Sequence, residues 1–232
     1  TESTNKWRAV YIAGQVYHAQ GEPAEAVSEY RRVADRFPDA REAIEYFTRQ
    51  EIKLPEVTTV RPGEKCAAEL SFRNVADCEV KVYRIDLLKF GLLEHGLADF
   101  SRINLSGIRP LLAANVKLGD GQDYRDRQRA LPLPLEEVGA YRVVCRGENL
   151  HASGLVLVTP LAVEVQEETA SGRVRATVKN AVTDKYAADV QVKVIGTRNQ
   201  QFQDGETDLR GVFVADGVRG RSTVIARADD GQ

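Results

Sequence analysis

The chain has 232 residues, 43% of them hydrophobic and 28% charged, with a formal net charge of −2; these proportions are those of a globular protein and exclude disordered and fibrous classes. Lys and Arg are interleaved with Asp and Glu, so no basic stripe fits a phosphate backbone and nucleic acid is not expected as a partner. No apolar run approaches the ~20 residues that cross a bilayer as a helix, so no membrane span is expected. The chain starts at Thr1 and contains no methionine, from which a processed or artificial start is expected.

In the first fifty positions apolar residues recur at helical spacing. Ala26, Val27, Tyr30, Val33, Ala34 and Phe37 share one helix face, and Trp7, Val10, Tyr11, Gly14 and Tyr17 trace another. Gly21-Glu22-Pro23 separates the two, with proline suited to a helix start, which predicts an αα-hairpin. The placement of small and large residues resembles the tetratricopeptide repeat, whose period is ~34 residues. On that resemblance Gly14 is the small residue of the first helix, Tyr17 its large packing residue and Gly21 the turn. Ala26 is the small residue of the second helix, Tyr30 its aromatic, and Pro38 ends it. Ala43, Ile44 and Phe47 predict a capping helix within 39–50, so residues 1–53 form the first unit. A lone repeat cannot bury its own face, so it is expected to stack on further repeats or to dock on the domain that follows. Trp7, Tyr11 and Tyr17 are the candidate face for a protein partner.

After the linker Leu54-Pro55-Glu56 the apolar period changes from 3.6 to 2. Cys66, Ala68, Leu70 and Phe72 alternate with polar residues, as do Val80 and Val82, then Tyr141, Val143 and Cys145, and then Leu155 and Leu157, which predicts half-buried antiparallel strands. The leucine-rich stretch 86–100 predicts a strand end passing into a short helix or packed loop. Leu131-Pro132-Leu133-Pro134-Leu135 must be extended and at a sheet edge, because each proline biases its predecessor away from helix. A second module over 161–232 shows strands at 161–166, 173–179, 190–195, 211–215 and 222–227, the spacing of a sandwich, and its last strand is expected to be missing. The predicted fold is thus multidomain, α plus all-β: a tetratricopeptide-like helical hairpin, a first antiparallel β-sandwich over 54–160 and a second, truncated one over 161–232.

Several stretches of the β part carry a likeness: Arg61-Pro62-Gly63-Glu64, Val82-Tyr83-Arg84-Ile85-Asp86-Leu87, the Leu131 to Tyr141 stretch, and Glu206-Thr207-Asp208-Leu209-Arg210-Gly211-Val212-Phe213 with Ala188 to Val194 before it. In these, residues 61–232 resemble the amino-terminal region of bacterial alpha-2-macroglobulin family proteins. The resemblance implies macroglobulin domains, which are fibronectin-like sandwiches, in a protein of protease-inhibitor or defence type located outside the cytoplasm: secreted, periplasmic or on the cell surface. Within the T-D-x-x-G turn, Gly211 is expected at positive φ and Asp208 to cap nearby backbone amides. Carboxypeptidase regulatory-like and transthyretin-like modules share that turn, so a tetratricopeptide adaptor with such β spacers is the alternative. The Cys-x-Glu-Gln sequence of the family's thioester is absent from these residues.

No constellation points to catalysis. His18, His95 and His151 are far apart, without metal-ligand spacing. Three cysteines, Cys66, Cys78 and Cys145, cannot all pair with one another and read as buried small hydrophobes. If 66–72 and 78–84 form a hairpin, Cys66 and Cys78 stand at opposite ends of its ladder. Asp120, Asp123 and Asp126 miss the EF-hand spacing and stand among Arg125, Arg127 and Arg129, which predicts a solvated loop rather than a calcium site. No glycine-rich phosphate loop occurs. The sequence therefore predicts no catalytic, cofactor-binding or metal-binding residues and a non-enzymatic scaffold with a protein partner.

Overall fold

A computed structural model describes residues 4–87 and 107–228. Three helices come first: α1 (Thr4–Gln20), α2 (Pro23–Arg31) and α3 (Pro38–Thr48). The end of α1 is sealed by Gly21 and Glu22, whose N–H groups donate to the carbonyls of His18 (3.1 Å) and Tyr17 (3.0 Å), a Schellman-type stop that uses Gly21 at φ 73°. Proline opens both α2 and α3, where its missing N–H removes no helical bond.

The position of Pro38 corrects the sequence reading. The α-helix ends at Arg31 and the chain continues through turns over 32–36, with Arg32 and Val33 donating to the carbonyls three residues back. Pro38 begins α3 instead of ending α2. Phe37, the residue before it, is extended at φ −123° and ψ 108°, as the proline ring demands.

The helices share a core of Ala26, Val27, Tyr30, Val33, Ala40 and Phe47. Gly14 allows α1 and α2 to meet, since a Cβ there would lie 2.8 Å from two ring carbons of Tyr30. On α1, a helix of 17 residues, Ile12 and Val16 stand about half exposed, at 50% and 47%. No helix among the described residues is long and apolar enough to cross a membrane.

Eight strands follow: β1 (Glu51–Lys53), β2 (Val57–Val60), β3 (Cys66–Arg73), β4 (Asp77–Ile85), β5 (Leu112–Lys117), β6 (Arg127–Leu133), β7 (Gly139–Gly147) and β8 (Leu150–Val158). They form two facing sheets, ordered β1-β3-β6 and β2-β8-β7-β4-β5. Between them lie Leu70, Val75, Val80, Val82, Val143, Val156 and Val158, all essentially inaccessible. β6, with Pro132, occupies a sheet edge as its prolines require. β2 pairs with β8 in parallel, an exception to the antiparallel pattern expected.

Residues 66–72 and 78–84 do not form a hairpin. β3 pairs with β1 and β6, while β4 pairs with β5 and β7 in the opposite sheet. Asn74, at φ 51°, turns the chain between the sheets. The alternation of apolar residues is the same whether two successive strands pair or face each other across a core, so the pattern alone does not decide between these. The same layout brings Cys78 near Cys145, because Cys145 sits opposite Val80 on the neighbouring strand.

The second sandwich contains β9 (Leu161–Glu168), β10 (Arg173–Asn180), β11 (Gln191–Gly196), β12 (Gln203–Glu206), β13 (Val212–Ala215) and β14 (Ser222–Arg227). Its sheets run β13-β10-β9 and β12-β11-β14. Val174, Ala176 and Val178 of one face Val190, Val192 and Val194 of the other. β12 was absent from the alternating stretches, being short, half exposed and interrupted by Gly205. The leucine-rich stretch over 88–100, His95 and the final residues 229–232 lie outside the described residues.

Replacing Gly14 by valine forces a branched side chain against the buried Tyr30 ring. An urea-unfolding series should show a loss of about 1–3 kcal/mol, the usual range for overpacking, with the helical signal at 222 nm affected most.

Candidate functional site

Polar chemistry concentrates where the helices meet the first sandwich. A helix end leaves its last carbonyls without partners, and at α3 these are met by Arg73, the last residue of β3, and Asn74, the residue after it. Arg73 Nη1 donates to the Tyr46 carbonyl (3.0 Å), and Asn74 Nδ2 donates to the carbonyls of Phe47 (2.7 Å) and Arg49 (2.9 Å). The other end of the Asn74 amide accepts from the Tyr124 N–H at 2.9 Å, and its own carbonyl accepts from Gln50 at 3.2 Å. Arg73, only 4% exposed, is held in place by a two-pronged pair with Asp126, at 2.7 and 2.6 Å. Its guanidinium also lies 4.9 Å from the Tyr46 ring, with Arg49 5.2 Å from the same ring.

The loop carrying Asp120, Asp123 and Asp126 is largely exposed, as expected, but its charged groups are engaged. Asp126 pairs with Arg73, Asp123 pairs with Arg127 at 2.7 Å, and Asp120 caps the Gln122 N–H. Arg125 reaches back to the Gly21 carbonyl at 2.7 Å, and Tyr124 packs against the helical core. The sequence offered one signal: cations and anions alternating within one short stretch, which here become clamps. Two clefts of about 400 and 480 Å³ flank the joint and share Asn74 and Gly121 in their walls. Among the described residues no group of three His, Cys, Asp or Glu side chains could hold a metal ion.

Electrostatics follow the geometry. The hydrogen bonds from Arg73 hold the Asp126 carboxyl below the usual carboxylate range. Burial pushes the Cys66 thiol up. Cys145 is pushed up further by its hydrogen bond to Cys78 and by burial. All three cysteines are free and buried, packed within the first sandwich core.

The residues proposed as a partner face lie elsewhere, and they are engaged with the protein itself. Trp7, Tyr11 and Tyr17 are half-buried against the helical core. Tyr11 stacks on Phe37 at 4.7 Å with its hydroxyl 3.4 Å from Asp39, and Arg36 lies 4.6 Å from the Trp7 ring. His18 sits edge-on to Phe47, and His151 is exposed on β8.

In the second sandwich Gly211 has φ 70°, and a Cβ there would meet the Val178 carbonyl oxygen at 2.3 Å. Asp208 accepts from the N–H groups of Arg210 and Val212, both at 2.9 Å, which together with the Arg210 guanidinium hold its carboxyl below the ordinary range. Thr207, which the sequence reading passed over, is buried and ties the Ala187 carbonyl to the Val190 N–H.

The fold has known counterparts. A crystal structure of native alpha-2-macroglobulin from Escherichia coli spanning domains MG0-NIE-MG1 superposes with a TM-score of 0.62 at 14% identity, covering 79% of this chain and 62% of that one. A fragment of the same protein spanning NIE-MG1 gives 0.60 at 14% identity, over 80% of this chain and 95% of that one. A mutant of Salmonella alpha-2-macroglobulin gives 0.54 at 15% identity, over 78% of this chain and 11% of that one. No family model and no curated protein matches the chain in sequence. At such identities the likeness is one of fold: macroglobulin-like sandwich modules.

Asn74→Gly keeps the left-handed backbone and removes only the amide, so it should cost about 2–3 kcal/mol for the hydrogen bonds lost, with helical signal disappearing at lower urea than strand signal. Asp126→Asn should cost about 1–2 kcal/mol, limited by the exposure of the carboxylate. Because the carboxyl of Asp126 is depressed in the folded state, its contribution is complete above the ordinary carboxylate range and is lost as pH falls through the depressed value; a urea series from pH 7 to pH 2 should show that loss in wild type and not in D126N. Since all three thiols are buried, they should resist a disulfide reagent in the native protein and all titrate at once in denaturant.

Proposed function

We propose that the chain is a non-catalytic frame and interaction module of alpha-2-macroglobulin type. Two macroglobulin-like sandwiches supply the frame, and a tetratricopeptide-type helical hairpin with its capping helix is fixed to the first of them to present or continue a protein-binding surface. The observation that carries this reading is the joint. Arg73, Asn74, Asp126, Tyr124 and Arg125 all spend their polar groups on holding the helices to the sandwich. A cluster with that many charged groups in one place is where chemistry would be sought, and here each is committed to a structural partner.

The likeness to bacterial alpha-2-macroglobulins supports the type of frame. On this reading the chain works outside the cytoplasm, in a secreted, periplasmic or cell-surface protein of protease-inhibitor or defence type. Three free cysteines weigh against an oxidising compartment; their burial makes them compatible with it, because a thiol shielded in a core is inert whatever the redox poise outside. The chain spans 62% of the first matched structure, and the activity of any larger protein is part of the proposal.

Limited trypsin digestion tests the fixed presentation. The helices and first sandwich should survive as one fragment, and N74G should release the helices first; early loss of the helices from wild type would sink the reading. Purified protein should show no turnover on a panel of peptidase, esterase and glycosidase substrates, and turnover that persists through repurification and is abolished by a point substitution would overturn it.

A further inference from the structure

The sheet edges differ in what they offer to another chain. β1 has three residues, β2, β12 and β13 have four each, β5 and β14 have six each, and β6 carries Pro132. β9 has eight residues without proline or glycine, pairs among the described residues only with β10, and is exposed at every position after Leu161. Its register fixes which side chains lie on which face. Val163, Val165 and Glu167 stand opposite the core residues Val178, Ala176 and Val174, while Glu164, Gln166 and Glu168 stand opposite Thr177, Arg175 and Arg173 on the outer face. Val163 and Val165, although on the core side, remain 41% and 39% exposed. The strand thus shows a backbone ladder that no second strand pairs among the described residues, with β14 close by through a hydrogen bond from the Ser222 hydroxyl to Glu167, a half-covered apolar row inside, and Glu164 and Glu168 outside. None of Glu164, Glu167 and Glu168 is in an ion pair among the described residues.

We propose that the free edge of β9 accepts an extended peptide segment of a partner protein, with apolar residues alternating with Arg or Lys. An unpaired ladder selects an extended backbone and no other conformation. The inner row selects small β-branched residues at alternate positions, and the outer row selects positive charge at the positions between. On the occupied edge of β9, β10 reads Arg-Val-Arg-Ala-Thr-Val-Lys over 173–179, with apolar residues inward and three cations outward, of which Arg173 stands opposite Glu168 while its ion pair goes to Asp216. Acidic residues at an edge also serve to keep strands apart, and the experiment separates that role from recognition.

A fluorescent peptide copying residues 173–179 is titrated with the whole protein and followed by anisotropy, beside a control peptide with Glu at its three cationic positions. Saturable binding of the basic peptide is expected, weakened by salt, with the acidic peptide at least about tenfold weaker. The double variant Glu164→Lys with Glu168→Lys, with an unchanged urea midpoint, should reverse the preference. Absence of binding, equal binding of both peptides, or a preference that survives the double variant overturns the proposal and leaves the glutamates as guards against pairing. Dimerisation through this edge in sedimentation without peptide also overturns it, since the occupant is then a second copy.

Discussion

The helical unit depends on two side chains at the end of β3. An 11-residue helix such as α3 is marginal alone in water, and its C-terminal carbonyls face the sandwich, where water is partly excluded. Arg73 and Asn74 answer them with three donated hydrogen bonds. Asn74 does so from a left-handed backbone at φ 51°, a conformation that asparagine tolerates better than most residues. That backbone also carries the chain from one sheet to the other, so one residue sets both the corner of the sandwich and the seat of the helices. A β-branched residue in its place would lose the corner and the seat together.

Arg73 is useful because it is buried and Asp126 because it is not. A guanidinium at 4% exposure needs an anion and hydrogen bonds to stay charged, and Asp126 supplies both from the rim while Tyr46 offers its carbonyl and its ring. The second sandwich makes its turns with shorter-range parts. Asp208, Gly211 and Thr207 bond within a few residues of sequence or across one strand pair, so that module needs nothing from the helices.

Much of this was legible in the residues. The helical faces, the change of period after residue 54, the edge position of the Leu131 to Leu135 stretch and the T-D-x-x-G turn all depend on local patterns, and local patterns survive reading without a structure. What was not legible depends on long-range contacts. The relation of β3 to β4 turned on whether Asn74 closes a hairpin or a corner, and the 120–126 loop on partners some fifty residues earlier, at Arg73 and Asn74. Trp7, Tyr11 and Tyr17 read as a candidate partner face, and the pattern does not tell that Tyr11 also packs on Phe37 and Tyr30. Ile12 and Val16, the large apolar residues that α1 does expose, carried no distinguishing signal.

The joint also orders events during synthesis. The three helices are complete in sequence by Thr48, but Asp126, Tyr124 and Arg125, which lock them, follow roughly eighty residues later, several seconds of elongation at about 5–20 residues per second. Until then Arg73 and Asn74 can meet the α3 carbonyls but Arg73 lacks its anion, and the parallel pairing of β2 must wait for β8, later still. The helices are thus made well before the residues that lock them, and a nascent chain stalled before residue 120 carries helices on a seat still missing its lock.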